Sequence, residues 1–239
     1  MKTKPILFSG PMVNAILDGR KTQTRRQVKF DKHGGTLPVR RVEKHGDEFW
    51  FFVGSSQKPY SKQRCKFGKV GDLLWVRENF SPVGTQGTLG GYIRYKADSK
   101  KALGAYGCTK WKPSIFMPKS ASRITLKITD IRVERLQDIS ENDASAEGCN
   151  LQWYSDNAGT ENLWPCPDCG GDGTHGALAH NLGVMEVDCN TCDTSYKMFK
   201  SLWNSINKNW DENPWVWCIT FEVLHENVNS ILGEQDAVA

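Results

Sequence analysis

The sequence has no long hydrophobic run. None of its apolar stretches approaches the roughly 20 residues that span a bilayer. The first of them, residues 6–8, is far shorter than the apolar segment of about 7–15 residues in a secretory signal peptide. We therefore expect a soluble, cytoplasmic protein without a membrane partner. Without a signal peptide, the eight cysteines indicate reduced thiols or metal ligands and not a disulfide framework.

Acidic residues are scarce in the first part of the chain. Residues 1–150 hold 28 Lys and Arg against 14 Asp and Glu, whereas residues 151–239 hold 3 against 13. The net charge of +4 hides this asymmetry. A strongly basic part predicts a surface that faces a polyanion, such as nucleic acid, or a nucleotide. The alternative is that solvated lysines have simply accumulated there.

The sequence also lacks an internal repeat and a phosphate loop. The glycine-rich residues 84–91 have no Gly-Lys-Ser/Thr end, so we interpret them as a hairpin connection. Apolar alternation and β-branched residues predict strands over 73–78, 92–95, 123–129, 131–136 and 215–224, with a turn at Asp130. Capping residues and helical spacing predict short helices over 11–17, from Ser140 to Gly148 and over 196–206. Because strands outnumber helices, we expect an α+β fold, specifically a small mixed β-barrel with peripheral helices.

Two Cys-x-x-Cys pairs indicate a zinc site. They are Cys166 with Cys169 and Cys189 with Cys192, separated by 19 residues, a spacing typical of a zinc ribbon. Four thiolates form a closed tetrahedral shell, so we expect a structural Zn²⁺ whose binding folds this segment. The alternatives are a redox Cys-x-x-Cys, which needs only one pair, or replacement of one cysteine by a histidine. Four cysteines show no pairing pattern and are predicted to be buried thiols: Cys65, Cys108, Cys149 and Cys218.

The segment that follows the first helix carries a resemblance to a known family. Residues 19–26, Gly-Arg-Lys-Thr-Gln-Thr-Arg-Arg, resemble the ASCH signature Gly-x-Lys-x-x-Glu-x-Arg, with Thr24 in place of the usual Glu. Further pieces similar to this family, especially to its phage and prophage members, are residues 71–78, 114–118, 121–126, 199–206 and 213–217.

This resemblance covers nearly the whole chain and implies a domain organisation. Residues 1–150 and 195–226 would form an open β-barrel of the PUA-like type, with short peripheral helices. Residues 151–194 would be an inserted four-cysteine zinc ribbon, and residues 227–239 a flexible tail. The family is linked to binding of RNA or modified nucleosides. If a phage encodes the chain, it would act in the cytoplasm of the host cell.

The departure at Thr24 implies a reaction. Small ASCH members with Lys, Thr and a downstream Glu resemble amidohydrolases that remove the acetyl group of N4-acetylcytidine, and the matching trio is Lys21, Thr24 and Glu78. Thr24 would act as nucleophile or position water, Lys21 as base, and Glu78 as proton shuttle and partner of Lys21. The alternative is a solvated lysine, a turn residue and half of a structural ion pair.

Four residues are candidates for substrate contacts. Arg26 would hold a carbonyl or a phosphate, Arg25 and Arg123 are further cations, and Trp111 lies between two lysines, where it could stack a base. A second hypothesis is a non-catalytic protein that binds a modified base or a nucleic acid, with RNA favoured over DNA. A third hypothesis is a ribonuclease.

Overall fold

The structure, a computed structural model, describes residues 1–30, 39–83, 92–98, 110–149, 174–179, 183–190 and 192–233. Its strands are β1 (Thr3–Leu7), β2 (Gln23–Gln27), β3 (Val39–His45), β4 (Glu48–Val53), β5 (Ser61–Arg64), β6 (Leu73–Arg77), β7 (Phe80–Val83), β8 (Tyr92–Tyr95), β9 (Thr125–Arg135), β10 (Thr174–Ala179), β11 (Gly183–Asp188) and β12 (Trp215–Leu224). Its helices are α1 (Gly10–Leu17), α2 (Glu141–Ala146), α3 (Ser195–Asn207) and α4 (Val228–Leu232). The fold is therefore α+β and rich in strands, as the sequence predicts.

The chain divides into two compact units. Unit 1 comprises Met1–Gly19, Lys66–Thr129 and Phe221–Ala239, and unit 2 comprises Arg20–Cys65 and Asp130–Thr220. The long strands β9 and β12 each contribute residues to both units.

Unit 1 is built on a parallel and an antiparallel strand pairing. Strand β1 pairs with β6 in parallel, and β6 pairs with β9 in antiparallel orientation, with Leu74 opposite Leu126. All of β6 from residue 73 to residue 76 is buried, because it lies between two neighbouring strands and its apolar side chains cover both faces. The antiparallel pair of β7 and β8 adds a second sheet, and Phe80 of β7 packs against Met117 and Ala121. The predicted hairpin connection over residues 84–91 lies outside the described residues.

Unit 2 contains the pairing of β2 with β12 and a separate three-stranded meander, β3-β4-β5. Alternate residues of β4 point inward, so Phe49 and Phe51 are buried and meet the Trp217 ring of β12 edge-on. Strands β10 and β11 form an antiparallel hairpin within the segment between the two cysteine pairs.

Two caps fix the helices of unit 2 that lie closest to the candidate site. The Ser140 hydroxyl accepts the Asp143 backbone N–H at 3.1 Å and begins α2. The Thr194 hydroxyl accepts the Lys197 N–H at 3.1 Å and begins α3. The Glu141 carboxylate also accepts the Tyr196 N–H at 3.0 Å, so an acidic side chain of α2 lies at the positive end of α3.

Most of the predicted elements are confirmed, but the turn at Asp130 is wrong. Strand β9 continues through Asp130 without interruption. A single aspartate without a neighbouring glycine or proline does not force a turn, and the apolar residues Ile128 and Ile131 on either side of it are both buried. Of the four cysteines predicted to be buried thiols, Cys65, Cys149 and Cys218 are buried, and Cys108 lies outside the described residues.

The chain end differs from the predicted tail. Residues 228–232 form the helix α4, which the Asn227 side chain caps by accepting the Asn229 N–H at 2.8 Å. Val228 is fully buried against Leu73 and Trp75, since the short sequence Val-Asn-Ser-Ile-Leu places its apolar residues on one helical face. Residues 234–239 lie outside the described part of the chain.

Two expectations concern the closure of the sheets and the membrane. No ladder of the described strands closes a sheet into a barrel, and the open PUA-like barrel stays a prediction. Within the described ranges, no helix is both long enough and apolar enough to cross a bilayer.

The α4 contact generates a first prediction. Replacing the buried Val228 by Ala should lower the free energy of unfolding by about 1–3 kcal/mol, because a cavity forms beside Leu73 and Trp75. Urea unfolding measures the change. The control is Ser230→Ala on the exposed side of the same helix, which should leave stability within about 0.5 kcal/mol. Equal stability of the Val228 variant and the control would show that residues 228–232 are a tail.

Candidate active site

The segment after α1 places Lys21 beside the end of α2. Helix α1 ends at Leu17, and Gly19 has φ +74°, a conformation that glycine adopts without strain. Lys21 then forms an isolated antiparallel bridge with Glu147, and the Thr22 N–H donates to the Ala146 carbonyl at 2.9 Å. Two segments more than 120 residues apart in sequence are thereby held side by side.

The Lys21 side chain is buried, with 1% of its surface exposed. Its ammonium Nζ donates to the Glu147 carboxylate Oε2 at 2.6 Å and to the Glu147 backbone carbonyl at 2.9 Å. Burial lowers the pKa of Lys21 from its ordinary value, while the Glu147 carboxylate opposes this change and the Arg26 charge adds to it. A buried amine with a lowered pKa loses its proton more readily than a surface lysine.

Glu147 also contacts a second buried cation. Its Oε2 binds Lys21, and its other oxygen, Oε1, accepts from Arg25 Nη1 at 3.4 Å. The Arg25 side chain is fully buried. Glu147 thus bridges a lysine and an arginine, and it compensates two charges that would otherwise be buried without a partner.

Arg25 collects further acceptors around its guanidinium. Its Nε and Nη2 both donate to Glu134, with the Nε bond at 3.1 Å, and Nη2 also donates to the Asp143 carboxylate at 3.1 Å. Arg132 binds the same two carboxylates, at 2.9 Å and 2.6 Å. We call these six residues of unit 2 the charged cluster: Lys21, Arg25, Arg132, Glu134, Asp143 and Glu147.

Thr24 is the buried hydroxyl of this region. It lies on β2 opposite Ile219 of β12, with 2% of its surface exposed. Because strand residues alternate, Thr24 faces away from its neighbour Arg25. Cys149, two residues after Glu147, is the buried thiol of unit 2 that interacts with the Lys21 charge. Burial raises its pKa to about 12, although the Lys21 charge opposes this. The Cys149 thiol is therefore protonated at neutral pH and a poor nucleophile.

Glu78 of unit 1 is held by an arginine fork. The Glu78 carboxylate accepts from Arg123 Nε at 2.8 Å and Nη2 at 3.1 Å, and the same guanidinium donates to both oxygens of Asp98, at 2.7 Å and 3.1 Å. The guanidinium carbon lies 4.0 Å from the ring centre of Tyr95. Burial raises the pKa of Glu78, and the Arg123 charge opposes this rise.

All three predicted catalytic residues are buried in the structure. Lys21 and Thr24 are buried in unit 2, and Glu78 is buried in unit 1; the alternative of a solvated lysine is therefore wrong. The alternative that Glu78 takes part in an ion pair has support, because Arg123 binds it. Pairing of Lys21 with Glu78 stays a prediction.

The predicted substrate contacts have different surroundings. The guanidinium groups of Arg25 and Arg123 each bind carboxylates on several N–H groups, which favours a role in positioning acidic side chains. Burial lowers the pKa of Arg26. Trp111 is half-buried, between the exposed Lys110 and Lys112. A role in substrate binding stays a prediction for all four residues.

Sequence reasoning missed Glu147 and the second function of Asp143. Asp143 is recognised as part of a helix start, but its carboxylate accepts from Gln23, Arg25 and Arg132. Glu147 ends a short helix, and no local pattern connects it with Lys21. The basic segment 19–26 could have indicated such a partner. If its cations are buried, they require carboxylates from another part of the chain.

The cysteine pairs are described only in part. Cys189 and Cys192 are buried, and the Cys192 N–H donates to the Cys189 carbonyl at 3.1 Å, which makes a tight turn between β11 and α3. Two buried thiols on such a turn suit one half of a thiolate zinc site. Cys166 and Cys169 lie outside the described residues. Among the residues whose side chains are described, no group of three His, Cys, Asp or Glu is placed as a metal site, and the structural zinc stays a prediction.

Comparison with known proteins adds no family. The chain matches no family model, no curated protein and no solved structure. The chemistry of the site must therefore be argued from its own residues.

The bridging position of Glu147 generates a second prediction. Glu147→Gln keeps the shape and removes the charge, which leaves Lys21 and Arg25 undercompensated. The free energy of unfolding should fall by about 3–5 kcal/mol near pH 7, as measured by urea unfolding. Adding Lys21→Met to the variant should restore part of the loss. The control Glu222→Gln removes an exposed carboxylate and should change stability by less than about 0.5 kcal/mol.

This loss should depend on pH in a defined direction. Because the folded pKa of Lys21 lies below its ordinary value of 10.5, the unfolded chain binds more protons in the window between the two values, and stability rises with pH there. Without the Glu147 carboxylate the folded pKa of Lys21 falls further, so the stability of the variant begins to rise at a lower pH than that of the wild type. The difference in the free energy of unfolding between the wild type and Glu147→Gln should therefore shrink between about pH 7 and about pH 10. A deficit that grows over this range would contradict the buried pair.

The cysteine turn generates a third prediction. Protein purified from zinc-containing medium should hold about one Zn²⁺ per chain, because four thiolates complete one shell. Cys189→Ser and Cys192→Ser should each lose most of the metal, whereas Cys65→Ser should retain it. Elemental analysis by mass spectrometry measures the ratio. A wild-type chain without metal, or a Cys189 variant with a full complement, would contradict the zinc site.

Proposed function

We propose that this protein is an amidohydrolase that removes the N4-acyl group of cytidine-type nucleosides, and that it has the open PUA-like barrel of the ASCH family. The observation that carries the proposal is the buried Lys21 amine, 2.6 Å from the Glu147 carboxylate. Support for the family comes from the segment 19–26, where Gly19 follows the end of α1 with a positive φ and Lys21 and Thr24 are buried. The zinc ribbon would serve structure only.

The Lys21 amine has the properties of a general base. A lysine must be neutral to accept a proton, and burial moves its pKa toward the working pH. Glu147 holds the amine in place with two oxygens, its carboxylate and its backbone carbonyl. The carboxylate also stabilises the ammonium that forms when the amine takes up a proton.

The reaction requires a nucleophile and a protonated leaving group. A water molecule or the Thr24 hydroxyl would attack the acyl carbonyl while Lys21 takes the proton. Because Thr24 faces away from Arg25 on β2, its approach to the Lys21 amine stays a prediction. The C–N bond then breaks, and Lys21 returns the proton to the N4 amine of cytidine. If Thr24 is acylated, a water molecule releases the carboxylic acid in a second step. The part of Glu78 in proton transfer stays a prediction.

A nucleoside assay tests this function. The wild type should convert N4-acetylcytidine to cytidine and acetate, and the rate should rise with pH through the lowered pKa of Lys21, because the neutral amine is the active form. Lys21→Ala should reduce the rate by at least about 100-fold. Liquid chromatography measures both products.

Two further variants distinguish loss of activity from loss of folding. Thr24→Val keeps the volume of this buried residue and removes the hydroxyl, so a folded variant without activity would support its role. Lys29→Ala, an exposed lysine close in sequence, should keep full activity. Unchanged turnover by folded Lys21→Ala, or no conversion of any N4-acylcytidine by the folded wild type, would contradict the proposal.

A further inference from the structure

Two large apolar side chains of unit 1 are exposed on an ordered turn. Ile115 and Phe116 belong to the 3-10 turn Ser114–Phe116, and 59% and 70% of their surfaces are exposed. We call these two residues the apolar tip. Single exposed apolar residues are common, but adjacent ones in a fixed turn favour an interaction site.

The apolar tip is anchored on both sides. The Lys112 N–H donates to the Phe80 carbonyl at 2.8 Å, and the Phe80 N–H donates to the Lys112 carbonyl at 3.2 Å. Met117, directly after the tip, is fully buried against Phe80 and Ala121. Arg77 Nη1 also donates to the Ile115 carbonyl at 3.2 Å. A ligand therefore meets a preformed surface and does not have to order a loop.

The sequence around the apolar tip is strongly basic. Residues 66–129 hold twelve Lys and Arg and three acidic residues. All three acidic residues have internal partners: Glu78 and Asp98 bind Arg123, and Asp72 accepts two backbone N–H groups. Cations therefore outnumber acidic residues in residues 66–129, and such an excess of positive charge complements a polyanion.

We infer that the apolar tip, together with Trp111 and the exposed Lys110 and Lys112, binds single-stranded nucleic acid. A base would stack on Phe116, and the two lysines would contact phosphates. Alternating aromatic residues and cations are the combination that single strands require, because every base has a flat face and every linkage a charge. The inference concerns unit 1 alone and does not depend on the proposed hydrolase.

Fluorescence anisotropy with a labelled oligouridylate of about 12 nucleotides tests this surface. The wild type should bind at about 50 mM salt and weaken as salt rises. Phe116→Ala should weaken binding by about 5- to 150-fold, the loss of one stacked base. Lys110→Ala with Lys112→Ala should reduce the slope of log affinity against log salt by about 1.4, since each phosphate contact contributes about 0.7.

Matched controls come from unit 2. Ile206→Ala removes another exposed large apolar side chain, 56% exposed against 70% for Phe116, and Lys58→Ala removes an exposed lysine; both should bind like the wild type. No binding at about 50 mM salt, or equal binding by the folded Phe116 variant, would overturn the inference. Binding to phosphatidylserine vesicles that needs Phe116, without binding to the oligonucleotide, would overturn it in favour of a membrane.

Discussion

The buried contact between Lys21 and Glu147 is the constraint on which the candidate site depends. An ammonium with 1% exposure cannot keep its charge in a folded chain unless a carboxylate lies beside it. Glu147 meets this need at 2.6 Å and compensates Arg25 with its second oxygen. Lys21, in the segment that follows α1, and Glu147, directly after α2, are thereby held together. Burial still lowers the pKa of the amine below its ordinary value.

The other residues of the charged cluster are also paired with groups of opposite charge. Lys21, Arg25 and Arg132 carry three positive charges, and Glu134, Asp143 and Glu147 carry three negative ones, so the charges within the cluster balance and the buried Lys21 and Arg25 are each paired with a carboxylate. Strand β2 supplies Arg25 and orients Thr24 to its other face. Unit 1 contains a smaller cluster of the same kind, in which the Arg123 guanidinium donates to the carboxylates of Glu78 and Asp98. In each unit the pairing compensates a buried charge, that of Lys21 and Arg25 in unit 2 and that of Glu78 in unit 1.

Local patterns were enough to predict the elements but not the contacts. The helix before Gly19, the helix after Ser140 and the strand over residues 215–224 follow from capping residues and periodicity, which act over a few positions. The Glu147 contact joins segments 126 residues apart, and no pattern in a single sequence records such a pairing. Continuity of β9 through Asp130 and docking of Val228 also depend on tertiary packing, which overrides weak turn and tail signals.

Titration of the Lys21 amine measures whether burial in the charged cluster lowers its pKa. Lysine labelled with ¹³C and ¹⁵N at its end, assigned by comparison with Lys21→Met, reports the protonation state of this one amine by NMR. We expect a midpoint clearly below the ordinary value of 10.5, because burial outweighs the stabilising effect of Glu147. A midpoint at or above 10.5 would mean that the amine stays charged, and Lys21 would then be a structural cation and not a base.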